Sequence, residues 1–186
     1  MAYKNTFVSL AILSVILLAG MTLSYHSREV PIPQPTLLPD AYMENVTAII
    51  MDKKGKPSIK IKTPRMVHFI ENDTSELIDP QLTIYRRSPE PWFITSKFAK
   101  AQQGIDQVDF WKDVIIHHAG DLTSPATIIT TPTLTVHPND QTAETTDFIT
   151  FTQPSVTVKA IGMTADLNTG SIKLLSQTRG EYVSGS

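Results

Sequence analysis

Five histidines are the residues best suited to hold a metal or move a proton: His26, His68, His117, His118 and His137. Their spacing argues against both roles. His117 and His118 are adjacent, so in a strand they point to opposite faces and do not easily share a metal. No carboxylate–histidine spacing matches a metal motif. The chain has no cysteine, which excludes thiolate sites, disulfides and a cysteine nucleophile. Serine, histidine and aspartate all occur, but without a nucleophile elbow or a comparable signature. Asp73, Asp106 and Asp140 sit in turn-like stretches, where aspartate is favoured for bonding its own backbone. The chemistry expected of this chain is therefore binding rather than catalysis, with no metal or cofactor.

The remaining chemistry is apolar. Met66, Phe69, Leu82, Ile84, Phe98, Phe110, Ile116, Leu134, Phe151, Val158, Met163 and Leu174 fall at positions that would face one side of a sheet. They fit either a dry core or a groove for acyl chains, because both use the same residues. Trp92 and Trp111 fit binding anchors or ordinary packing equally well. The net charge of −2 gives no reason to expect a nucleic-acid partner.

The elements that must position these residues read as strands. Ser58–Lys62 alternates strictly, with Ile59 and Ile61 on one side and lysines on the other. Residues 81–85, 133–136, 155–159 and 171–174 alternate in the same way. One apolar and one polar face per strand is the pattern of antiparallel sheets. Turn signals separate the strands at 52–57, 71–73, 103–106, 138–140 and 168–170.

The pattern also repeats. Thr63-Pro64 recurs as Thr131-Pro132, Thr74-Ser75-Glu76 as Thr142-Ala143-Glu144, and Asp79 as Asp147, all at one offset of 68 residues. Thr63, Ser96, Thr131 and Ala160 read as strand ends preceding the turns, and they step by 33, 35 and 29. Repeated units that cannot bury an apolar face alone must stack. The expected fold is all-β: an antiparallel two-sheet β-jellyroll, or open β-sandwich, with internal repeats.

Ahead of it, Phe7–Tyr25 carries no charge and would rise roughly 28 Å as a helix, about the thickness of a bilayer core. The run is long for a signal peptide and no A-x-A site follows, so it reads as a retained transmembrane helix. Lys4 places the amino terminus in the cytoplasm. Pro31, Pro33, Pro35 and Pro39 then favour an extended tether. The organisation expected is a cytoplasmic tip and transmembrane helix (1–27), a proline-rich linker (28–40) and a β domain (41–186).

Several stretches resemble the LptC family. Pro39–Thr47 and Met51–Pro57 look like the opening of its periplasmic domain. Thr63–His68 and Asp79–Tyr85 follow in the same order, as do Gly162–Leu167, Leu174–Ser176 and Arg179–Tyr182. The resemblance spans nearly the whole chain and includes the anchor. It implies a single-pass inner-membrane protein of Gram-negative bacteria whose periplasmic β-jellyroll takes part in lipopolysaccharide export. It implies receipt of lipopolysaccharide from an ABC transporter (LptF and LptG with the ATPase LptB) and transfer to the bridge protein LptA. By the family's arrangement, Val46, Thr47, Ile49, Met51, Ile59 and Ile61 would face the transporter. Ile172, Leu174, Leu175, Arg179 and Tyr182 would face LptA. Without the family's role, the same features fit a membrane-tethered β domain that docks envelope proteins and carries no lipid.

Overall fold

The computed structural model describes residues 38–85, 90–120, 122 and 125–182. The expected transmembrane helix and nearly all of the linker lie outside them. Among the described residues there is no α-helix, and no helix long and apolar enough to cross a membrane.

Eleven strands form one antiparallel ladder: β1 (Ala41–Met51), β2 (Pro57–Phe69), β3 (Thr74–Ile78), β4 (Gln81–Ile84), β5 (Trp92–Thr95), β6 (Phe98–Gln102), β7 (Gln107–His118), β8 (Thr127–His137), β9 (Thr142–Gln153), β10 (Val156–Asp166) and β11 (Ser171–Tyr182). β3 and β4 both pair with β2, and β5 and β6 both pair with β7. Each couple is thus one long strand interrupted at its middle. Counted that way, the sheet is a meander in which every strand pairs with its neighbours in sequence. The five expected turns all join consecutive strands.

Every long strand is bent at its middle. Asn45, Asp79, Lys112, Asp113, Gly162 and Gln177 have positive φ there, a conformation most side chains avoid. Pro64, Pro80 and Pro132 occupy the same row; a proline inside a sheet is confined to such irregularities because it cannot donate to the ladder. Small hydroxyls bridge three of the bends. Thr63 Oγ1 lies 2.7 Å from the carbonyls of both Arg65 and Ile78 and shares its one proton between them. Ser96 Oγ donates to Phe98 O at 2.7 Å, and Thr131 Oγ1 to Thr133 O at 3.1 Å. Backbone bonds also cross the row, from Asp79 N to Lys97 O and from Lys97 N to Lys112 O.

The positions read as strand ends, Thr63, Ser96, Thr131 and Ala160, are therefore in or beside the bends. β2, β8 and β10 run on past Thr63, Thr131 and Ala160, whereas β5 ends at Thr95, beside Ser96. The bends divide one sheet into two limbs, where two separate sheets were expected, and the inward faces of both limbs share one buried cluster. The 68-residue repeat matches the β2–β3 hairpin to the β8–β9 hairpin. Its turn residues Asp73 and Gln141, also 68 apart, both have positive φ.

Candidate functional site: an apolar interior between two free edges

Strand pairing lines the inward side chains into rows that cross the whole sheet. In one limb the row reads Ala48, Ile61, Leu82, Ile94, Ile116, Ile129, Phe151, Val158, Gly180. In the other it reads Ala41, His68, Ser75, Ala101, Val108, Val136, Ala143, Ala165, Ile172. The middle of each row is dry: Ile94 and Val136 are both 0% exposed. Towards β1 and β11 the same rows become half-buried or exposed. β1 pairs only with β2 and β11 only with β10 among the described residues, so each presents one free backbone edge.

The expected interior residues divide into three groups. Leu82, Ile84, Phe110, Ile116, Leu134 and Met163 are all buried to 2% exposure or less. Met66, Phe151 and Leu174 are partly buried and pack on that cluster, while Val158 continues the row half-buried. Phe98 departs from expectation. Trp92, Ile94 and Ser96 point inward, but the bend at Ser96–Lys97 shifts the phase, so Ala99 and Ala101 take the inward positions. Phe98 is left on the outer face, stacked on Trp111 at 5.9 Å between ring centroids. Phe69 is half-buried at the end of β2, opposite Thr74 and outside the cluster. The two tryptophans part company: Trp92 is core and packs on buried His118, whereas Trp111 stands outside. His117 stacks on Phe93, so the two adjacent histidines do face opposite ways.

The edge residues divide similarly. Val46 points inward opposite Thr63, and Thr47, Ile49 and Met51 are exposed along β1. Ile59 and Ile61 do not belong to an edge: they lie on β2, which β1 covers, and are 1% and 7% exposed. At the far side all five expected residues lie on β11. Ile172 and Leu174 point inward, Leu175 and Arg179 are exposed, and Tyr182 pairs with Val156.

One titratable group ties this interior to the chain that leads into it. His68 Nδ1 lies 2.8 Å from Asp40 Oδ1, and its Nε2 lies 3.5 Å from Asp73 Oδ1. The bond to Asp40, with Asp73 adding to it, raises the pKa of His68 above 6.5 against the opposing effect of burial. Asp40 N also donates to His68 O at 3.1 Å, so the start of β1 is held at backbone and side chain together.

A family model described as "Lipopolysaccharide-assembly, LptC-related" matches residues 8–183. The chain belongs to the LptC family. The family is a lipopolysaccharide-transport component of the Gram-negative envelope and is not a known enzyme family. A comparison with curated proteins gave no significant match.

Several interior residues of this LptC-family domain escaped the sequence reading. Ile94 and Ile129 were reachable by simple alternation within 92–95 and 127–131. Met43 and Leu77 were not, because the bends at Asn45 and Asp79 reset which parity faces inward; Ile149 keeps the parity of Ala143 and Thr145 but lies four residues past Thr145.

Proposed function

We propose that this chain is a membrane-anchored periplasmic conduit that takes lipopolysaccharide from LptF and LptG, driven by LptB, and hands it to LptA. In this reading residues 1–27 anchor the chain, 28–40 tether it, and 41–186 form the β-jellyroll conduit. The observation that carries it is the pair of inward rows, apolar but for His68 and Ser75, that run from one free edge to the other and are less covered at both ends. A second jellyroll adding a strand to either edge would extend those rows without interruption, with backbone hydrogen bonds supplying affinity.

One observation favours the alternative, a docking domain that carries no lipid: the centre of the rows is dry. A conduit must part the two limbs there to pass acyl chains. Photocrosslinking in living cells separates the two. Probes go at Val46, Phe151 and Leu174, which are half-buried and inward, and at Phe110 and Leu134 in the dry centre. Controls go at Lys60 and Lys173 on the outer face. The conduit predicts lipopolysaccharide adducts at the inward positions, centre included, and none at the controls. Folded, expressed protein without adducts at any position would leave the docking domain as the better reading.

A further inference from the structure

Resting on the conduit reading, we infer that the cleft between the β1–β2 turn and the turns of the opposite limb binds the phosphorylated sugar headgroup of the transported lipid. The β1–β2 turn, Asp52-Lys53-Lys54-Gly55-Lys56, holds the densest run of positive charge in the chain. An exposed hairpin needs no such density for solubility. The cleft is lined by Asp52, Lys54, Lys56 and Tyr85 from one limb, and by Gln141 and Asn168 from two turns of the other.

The loop is built to present its ammonium groups. Asp52 Oδ1 accepts the backbone N–H groups of Lys54 at 2.8 Å and Lys56 at 2.9 Å. Asp52 N donates to Lys56 O at 2.7 Å, and Gly55 N to Asp52 O at 3.0 Å. The one carboxylate of the loop is thus engaged with its own backbone. Among the described residues neither Lys54 nor Lys56 forms an ion pair. Two cations beside a phenol and two carboxamides are the donor set that a phosphate on a sugar requires. Ile59 and Ile84, both inward and buried, lie next to this cleft in sequence, beside Ser58 and Tyr85. Tyr85 N donates to Ser58 O at 2.9 Å and closes the floor between them. An amphiphile seated here has its phosphate at the rim and its chains directed at the apolar rows.

The test is direct binding to the full-length chain in detergent. The ligands are lipopolysaccharide, the same lipopolysaccharide enzymatically dephosphorylated, and inorganic phosphate as competitor. The variants are K54Q/K56Q, Gln141→Ala from the opposite limb, and K60Q/K62Q, which removes the same charge from the outer face of β2. Loss of two charge-assisted contacts predicts affinity for phosphorylated lipopolysaccharide about tenfold or more weaker in K54Q/K56Q. Gln141→Ala weakens it less, K60Q/K62Q leaves it intact, and all variants bind the dephosphorylated form like wild type. Native melting curves confirm that each variant folds. Equal binding by K54Q/K56Q and wild type overturns the headgroup site and leaves the conduit standing. Equal losses in K60Q/K62Q overturn it in favour of diffuse attraction. Displacement by millimolar inorganic phosphate alone assigns the cleft to free phosphate instead. Wild-type protein that binds neither lipopolysaccharide overturns the conduit and, with it, this inference.

Discussion

At the scale of single residues, one contact is set by pH: His68 between Asp40 and Asp73. Its pKa is raised in the folded chain, so the stabilisation is fully present below about pH 6.5 and is lost as pH rises through the higher folded value. Both carboxylates are reached by solvent, so the effect is small and screened by salt. The expectation is that wild type loses melting temperature relative to His68→Gln between pH 6 and 8. Parallel melting curves across that window would show that the pairing of His68 with Asp40 and Asp73 adds no stability. None of this was legible beforehand. His68 was visible only as one of five scattered histidines, and its partners lie 28 and 5 residues away. The interior residues were easier, because alternation marks them locally, as Leu82 and Ile84 do. Phe98 misled for the same reason: it has the composition of a core residue, and only the bend at Ser96–Lys97 turns it outward.

At the scale of elements, the bends decide the architecture. In β1, β2, β8 and β10 the inward parity changes at mid-strand, and in β7 and β9 the inward positions skip a place there (Phe110 to Val114, Thr145 to Ile149); both let the two limbs bury apolar side chains in one cluster. The hydroxyls hold these bends. Thr63 is 3% exposed and satisfies two carbonyls, so Thr63→Val, equal in shape, leaves both short of a donor. The expected cost is about 1–3 kcal/mol by urea unfolding. Thr131→Val, with one longer bond, is expected to cost less. Equal stability of wild type and Thr63→Val would mean that backbone bonds across the row carry the bend unaided. The Thr-Pro repeat at 63 and 131 announced these places, and its spacing was readable. Its meaning was not: a proline after an alternating run signals an end as readily as a bend, and only the pairing of β2 with both β3 and β4 distinguishes them.

At the scale of the whole molecule, the two edges left free among the described residues are what a self-contained protein would avoid. Natural sheets shield edges against pairing with other chains. Here β11 runs twelve residues without a proline, and its inward side chains Ile172 and Leu174 are only partly covered. Leu174 stands opposite Met163, which is 0% exposed, so it caps the last apolar position before the edge. A docked strand would complete its burial. Replacing it by aspartate puts a charge where that strand must close, and this is the kind of central apolar contact whose loss costs about 2 kcal/mol or more in an interface. On the proposed conduit, Leu174→Asp is therefore expected to reduce capture of LptA at least tenfold. Ile115→Asp, on β7 away from both edges and 42% exposed, serves as the control and is expected to bind nearly as wild type. Because Leu174 also packs on the core, the melting curve must be read beside the pull-down. Lost binding with a native melt assigns the edge to docking. Unchanged binding with a native melt would remove β11 as the docking edge of the proposed conduit, and the rows would then end at an edge that nothing extends.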